Sequence, residues 1–196
     1  MSSFTPVELK HASRLLNHGA VVLVTSQSGQ TRNIMAAAWS MPVEFTPPRV
    51  AVVIDKNTFS KQLINASGVF GLCIPGAALA DTTYGVGSCS GRDLAEAGDK
   101  FQQFGLTPIT GPVLGLPLLE QGCAAWLECR LIPEPHSEQA YDTCFAEVVS
   151  AAADPRIFAN GRWDFRDDNQ DLHSLHHLGA GTFIVSGRTV DSEPKT

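Results

Sequence analysis

Thr31-Arg-Asn-Ile-Met-Ala-Ala-Ala-Trp39-Ser-Met-Pro-Val-Glu-Phe45-Thr-Pro-Pro-Arg-Val50-Ala-Val-Val-Ile-Asp55-Lys-Asn-Thr58-Phe-Ser60 gathers small and amide-bearing side chains, a Trp, a double proline, an apolar strand and a helix start. That mixture suits a flat ligand with a phosphate tail. Small side chains at Ala36, Ala37 and Ala38 let backbone donors approach a planar ring, while Lys56 and Thr58 stand where a helix begins. Backbone amides at a helix start, joined by a cation and a hydroxyl, make an anion site. Trp39 is read either as a core aromatic or as a wall of the ring pocket.

Upstream, Ala20 to Thr25 is apolar and β-branched, and Gln27-Ser28-Gly29-Gln30 is a turn, so a hairpin returns Thr31 to Trp39 alongside the first strand. Before it, Thr5-Pro6-Val7-Glu8 reads as a capping box, with Leu9, Ala12, Leu15 and Leu16 at helical spacing. This gives an N-terminal helix within residues 1–18. Downstream, Pro42, Pro47 and Pro48 argue for a shaped loop between Trp39 and Arg49, followed by a strand from Val50 to Ile54. Thr58 then caps a helix through Phe59, Gln62, Leu63 and Ala66, which Gly68 ends.

Val69 to Ile74 is a further strand, broken by Pro75-Gly76 ahead of a helical run from Ala77 to Tyr84. Residues 85–122 are rich in Gly and Pro and read as loop, the kind of region that carries function or an oligomer contact. Two strands, Ala124 to Ile132 and Ala140 to Ala151, are joined through Pro133-Glu134-Pro135-His136. Arg156 to Asp171 reads as a surface excursion, and a helical turn near Leu172 to His177 precedes a closing strand from Thr182 to Val185. Residues 189–196 read as a flexible tail. Many short strands with Gly/Pro turns and few helices point to a mainly β fold, a β-barrel, in a single domain spanning 1–196.

Composition narrows the function. A net charge of −6, with 14 scattered basic residues, argues against nucleic-acid binding. No apolar run is long enough to span a bilayer, and the N-terminus lacks a basic region followed by an apolar one, so a cytoplasmic location is expected. The five cysteines form no Cys-x-x-Cys pair and are expected as free thiols.

Three motifs compete with the flat-ligand reading. Gly85-Val-Gly87-Ser-Cys89-Ser-Gly91 approximates a dinucleotide fingerprint, but its third Gly falls one place late and no strand precedes it. The same residues mimic a nucleophile elbow centred on Cys89, which would make a cysteine hydrolase, yet again without the leading strand. His173, His176 and His177 could present two imidazoles to one metal from a helical turn, but no acidic residue completes the pattern. No metal is expected.

Asn-Ile-Met-Ala-Ala-Ala-Trp-Ser-Met-Pro followed by Phe-x-Pro-Pro-Arg-Val-Ala-Val-Val-Ile-Asp-Lys resembles the flavin reductase-like family, whose fold is an FMN-binding split barrel. Ser90-Gly91-Arg92-Asp93, Asp99-Lys100-Phe101, Ala125 to Cys129 and His177-Leu178-Gly179 extend the resemblance across residues 15–185. It implies bound FMN, with NAD(P)H as electron donor, and an NAD(P)H:flavin reductase activity needing no protein acid or base. Flavoredoxin-like or ferric-reductase-like electron carriers, and a non-enzymatic flavin-binding protein, are the alternatives. It also implies a homodimer, and a possible partner oxygenase or other electron acceptor.

For the site, the resemblance implies Asn33, Ile34, Met35, Ala36, Ala37, Ala38, Trp39, Ser40 and Met41 at the ring and ribityl chain, with Trp39 as a wall. Asp55, Lys56, Asn57 and Thr58 would take the phosphate, and Ser90, Gly91, Arg92 and Lys100 would complete the cofactor pocket. His177 stands at its mouth as a nicotinamide or substrate contact. Where hydroxyl residues often follow Asn-x-Met in this family, Ala36 and Ala38 leave the work to backbone amides.

Overall fold

A computed structural model of the chain describes residues 19–94 and 98–192, with Glu8, Lys10 and Leu15. The expected N-terminal helix lies largely outside the described residues. Turn chemistry sets the first hairpin: Gly29, at φ 57°, starts the two-residue turn between β1 (Val22–Ser28) and β2 (Thr31–Ala37), which pair from Val22 opposite Ala37 to Ser28 opposite Thr31. Between Trp39 and Arg49 the expected loop is a second hairpin. Its strands are β3 (Ser40–Phe45) and β4 (Pro48–Val53), turning at a cis Thr46–Pro47 bond. The prolines are tolerated because β3 is a sheet edge, where a missing N–H costs no ladder bond, and a bulge between Pro42 and Glu44 absorbs the irregularity.

α1 (Phe59–Ser67) forms as its ends dictate. Thr58 Oγ1 accepts the Lys61 N–H at 3.2 Å, and Gly68, left-handed at φ 73°, donates to Ile64 O at 2.7 Å. β5 (Val69–Pro75) follows, then a 3₁₀ turn and α2 (Ala80–Ser88). Gly85 and Gly87, expected in a loop, lie in this helix, where close packing against neighbouring side chains favours glycine. A Cβ on Gly85 would stand 2.5 Å from the Phe104 ring, and one on Gly87 3.3 Å from Ala36 Cβ.

α3 (Lys100–Gln103), β6 (Ile109–Thr110) and β7 (Pro117–Leu118) lead to the long strand β8 (Cys123–Ile132). The segment after β8 differs from expectation: Ala140 belongs to α4 (Pro135–Tyr141), which starts on Pro135, and β9 (Thr143–Ala153) begins only after it.

The seven main strands make one antiparallel sheet in the order β2-β1-β5-β8-β9-β4-β3. β2 and β3 are its opposite edges, yet only Ala38 and Trp39 separate them along the chain. Such a link spans about 10 Å, so the sheet must curl until its edges nearly meet. The result is a barrel split along one seam. Val22, Val24, Val52, Ile54 and Phe70 pack with Ile64 of α1 on one face of the sheet, while Leu23, Ile34, Cys73 and Trp126 are covered by Val86, Phe101 and Leu118 on the other.

Arg156 to Asp171 is more than a surface excursion. It forms the short hairpin β10 (Phe158–Ala159) and β11 (Arg162–Trp163) and a 3₁₀ turn at Asp167–Leu172. Ile157 and Leu172 are buried against Ala124, and Asn169 Nδ2 donates to the carbonyls of Arg156 and Asp164 at 2.7 Å each. The expected helical turn at Leu172 to His177 is instead a strand, β12 (Leu175–Gly179), paired with β13 (Thr182–Val185). Successive strand residues point to opposite faces, so His176 and His177 cannot share an ion. Among the described residues no cluster of three metal-ligating side chains occurs, and no helix is long and apolar enough to cross a membrane. The last described residues, 189–192, have no regular structure.

Candidate functional site

The start of α1, the end of α2 and the edge strand β2 converge on a cleft of about 340 Å³. β2 contributes Asn33, Met35 and Ala36; the turn before α1 and its first residues contribute Asp55, Asn57, Thr58, Phe59 and Ser60. The floor and far wall come from Val86 to Arg92 and from Lys100 of α3. Because β2 pairs only with β1, alternate N–H and C=O groups along it turn out from the sheet, available to a ligand in the seam.

Lys100 sets the electrostatics. Its side chain is 2% exposed, its ammonium donates to Val86 O at 2.6 Å, and it forms no ion pair among the described residues. Burial pulls its pKa below the ordinary lysine value, partly opposed by the neighbouring Cys89. Arg92 adds a second cation, held by Asn57 O at 3.1 Å and lying 5.9 Å over the Phe59 ring. The first-turn N–H groups of Phe59 and Ser60 point along the helix axis with no intrahelical acceptor. Two cations and a helix N-terminus with no carboxylate paired to Lys100 fit an anion.

Asn33 gives the cleft its specific polar group. Its Nδ2 donates to Ser60 Oγ at 2.9 Å, which leaves the buried Oδ1 with no partner. A buried acceptor without a donor costs about 1–3 kcal/mol, and this oxygen can accept from a ligand N–H or O–H. Gly91 must be glycine here, since a Cβ would sit 2.3 Å from that oxygen.

The expected residues divide. Asn33, Met35, Ala36, Asp55, Asn57, Thr58, Ser90, Gly91, Arg92 and Lys100 come together in the cleft. Ile34 and Ala37 are buried in the two packed layers, Ser40 and Met41 lie out on β3, and Trp39 is half exposed and lines no wall of the cleft. Ala38 and His177 line a neighbouring pocket of about 180 Å³. Lys56 is not in the lining: its ammonium donates to Gln139 O at 2.8 Å and lies 3.4 Å from Asp142. Asp142 also takes the Lys56 N–H, so the end of α4 captures this residue.

Phe59, Ser60, Val86, Gly87, Ser88 and Cys89 complete the lining and were not singled out as cofactor contacts. The helix cap at Thr58 was the signal for the first two. For the others no local pattern exists, because Gly87 and Ser88 read as loop but form the last turn of a helix. Cys89 follows α2 and donates to Gly85 O at 3.6 Å. A helix enters this cysteine, the reverse of a nucleophile elbow, in which a strand enters and a helix leaves.

Residues 14–166 match the flavin reductase like domain family. The chain belongs to that family. It is 59% identical to YddH of Escherichia coli (strain K12) over 192 residues, 97% of this chain and 98% of that one. In structure it is similar to an FMN-binding domain of a flavin reductases-like enzyme from Shewanella baltica OS155, at TM-score 0.83 and 40% identity, covering 96% of this chain and 97% of the other. A flavoredoxin of Desulfovibrio vulgaris (Miyazaki F) shares the fold at TM-score 0.78 and 22% identity, covering 98% and 97%. The family's split barrel and the curled seven-stranded sheet are one architecture.

Proposed function

We propose that the chain binds FMN in the cleft between β2, α1 and α2 and acts as an NAD(P)H:flavin oxidoreductase. The observation that carries the reading is Lys100, a buried ammonium with no carboxylate partner among the described residues, lining the same cleft as the N-terminus of α1. A desolvated charge of this kind costs several kcal/mol unless an anion meets it. A phosphate held by Lys100, Arg92 and the first-turn amides of Phe59 and Ser60 answers that need. Asn33 Oδ1 accepts a hydrogen bond from the ribityl chain or the ring, and Ala36 and Gly91 keep the walls close.

When bound, the flavin supplies hydride chemistry, so no acid–base dyad is required of the protein. The protein's part is to fix the phosphate end, align the ring beside the β2 edge and leave the ring accessible. The apolar residues Met41, Val43 and Phe45, exposed on β3, support the further reading that a second copy of this chain docks on this edge. Sedimentation velocity tests it, with a monomer for Phe45→Glu expected.

Anaerobic mixing of the FMN-loaded protein with NADH and with NADPH tests the activity. Bleaching of the flavin band with at least one donor is expected. No bleaching with either would leave a flavin-binding protein and sink the reductase.

A further inference from the structure

A separate cavity of about 560 Å³ lies where the end of β13 meets the 3₁₀ turn at Asp167–Leu172 and Ala77. From Ala77 to Ser88 of the cofactor cleft the chain runs roughly 16 Å along α2 and the turn before it, and the two cavities share no lining residue. His173 lines this cavity, and its ring is held by acceptors alone. Nδ1 faces Ser186 O at 2.7 Å, while Nε2 faces Arg166 O at 3.1 Å and Asn169 Oδ1 at 3.0 Å. The Asn169 amide cannot be turned round, because its Nδ2 donates to two carbonyls and its Oδ1 accepts the Arg166 N–H at 2.9 Å. A neutral imidazole donates from one nitrogen only, so these contacts are satisfied by the doubly protonated, cationic ring.

Charge and size select the ligand. Arg166 and Arg188 line the same cavity. Arg166 is shared with Asp164 at 3.3 Å and Asp168 at 3.5 Å, whereas Arg188 has no ion pair among the described residues. Ser186 holds Arg188 at the rim, since its N–H donates to Ser174 O and its Oγ accepts the Ser174 N–H, both at 3.1 Å. Asp167 is the one carboxylate in the lining, and Gln170 Nε2 donates to it at 3.4 Å. Three cations against one carboxylate leave a local excess of two positive charges, on a chain whose net charge is −6. A phosphate monoester carries about −1.5 to −2 at neutral pH and balances that excess, while a single carboxylate balances half of it. Arginine forks suit such a group. Phe165, stacked on Trp163 with ring planes 5° apart, adds an aromatic wall, and the volume suits a small organic ligand. We propose that this cavity binds a phosphate monoester of nucleotide size, with the phosphate between Arg166 and Arg188 and the ring against Phe165. Two sources carry this group: a free mononucleotide, and the adenosine 2′-phosphate of NADPH. Occupancy is independent of the flavin reading above; the second source rests on it.

Calorimetric titration of the full chain, loaded with one equivalent of FMN to fill the cleft, with 2′-AMP, 5′-AMP and adenosine tests the proposal. At least one monophosphate should bind, with adenosine, which lacks the phosphate, weaker by about tenfold or more. Arg188→Gln should weaken the monophosphate about tenfold and leave adenosine and FMN unchanged. Arg188→Lys, which keeps the charge, should recover part of the loss. Arg188 lies outside regular structure, so an unchanged midpoint of thermal unfolding is expected for both variants. Equal binding of adenosine, or Arg188→Gln without effect, overturns the proposal. So does monophosphate binding that one equivalent of FMN abolishes, since the probe then sat in the cleft. Stopped-flow flavin reduction separates the sources. A preference for NADPH over NADH that Arg188→Gln abolishes assigns the phosphate to the donor, and equal use of both, with monophosphate binding intact, assigns it to a free nucleotide. Failure of FMN to bind, or no reduction with either donor, removes only the flavin reading when the monophosphate still binds.

Discussion

A buried ammonium without a carboxylate is held charged against its own desolvation, and Lys100 is in that position. Replacing it with methionine should cost FMN affinity about tenfold to a hundredfold while leaving riboflavin, which has no phosphate, nearly unaffected. Equal loss for both would move the phosphate elsewhere. Lys56→Ala should change neither, since its ammonium is spent on Gln139 and Asp142. The sign of the pH effect follows from the lowered pKa. Below it, the ligand-free protein carries the full penalty of a buried charge; as pH rises through it toward the ordinary 10.5, that penalty disappears. Wild type should therefore gain stability over this window relative to Lys100→Met, and FMN affinity should fall over the same window as the cation is lost. In sequence the two lysines are indistinguishable. Both follow an aspartate near a helix start, and what separates them is a contact between Lys56 and a residue 86 positions away.

α1 couples the cleft to the fold at the level of a whole element. Its N-cap is a wall of the site, so Thr58→Ala should cost about 1 kcal/mol in denaturant unfolding as well as weaken the anion end, whereas Thr58→Ser should recover both. One turn along, Lys61 is buried and paired with Glu138 of α4. Burial alone would depress the Lys61 pKa; the Glu138 carboxylate, together with the neighbouring Cys144, more than reverses this, and the value ends above 10.5. Burial raises the Glu138 pKa less than Lys61 lowers it, so that carboxylate ends below the ordinary 4.5. A depressed acid contributes stability that is complete above its unfolded value and lost as pH falls through its folded value. Glu138→Ala should therefore cost about 3 kcal/mol at neutral pH by stranding a buried charge, and should flatten the acid limb of the stability profile. This element was legible because its signals are local: a cap at Thr58, apolar residues at helical spacing and a glycine at 68. β3 was not, because whether Pro42 breaks a strand depends on the strand being an edge, and edges are decided by the other six strands. Gly85 and Gly87 misled for the same reason, since the residues that require them, Phe104 and Ala36, are set by tertiary packing.

For the whole molecule, the alternation of short strands and Gly/Pro turns revealed a barrel, but nothing in it encodes that the two sheet edges are joined by only two residues or that one of them, β2, lines the cleft. The curled sheet has a consequence that can be counted. Four of the five cysteines are buried in its packed layers, and Cys89 alone is partly exposed, at the cleft. Burial pushes Cys73 and Cys129 up to about 12 and raises Cys123 and Cys144 as well, so none of the four holds appreciable thiolate at neutral pH. A thiolate-specific disulfide reagent should therefore label one cysteine in the native protein and all five in denaturant. The fast phase should vanish in Cys89→Ser, and it should slow when FMN is added, because a ligand in the cleft covers Cys89. Two or more fast thiols would mean that the barrel opens along its seam without unfolding. One fast thiol, indifferent to FMN, would mean that the ligand does not reach the end of α2.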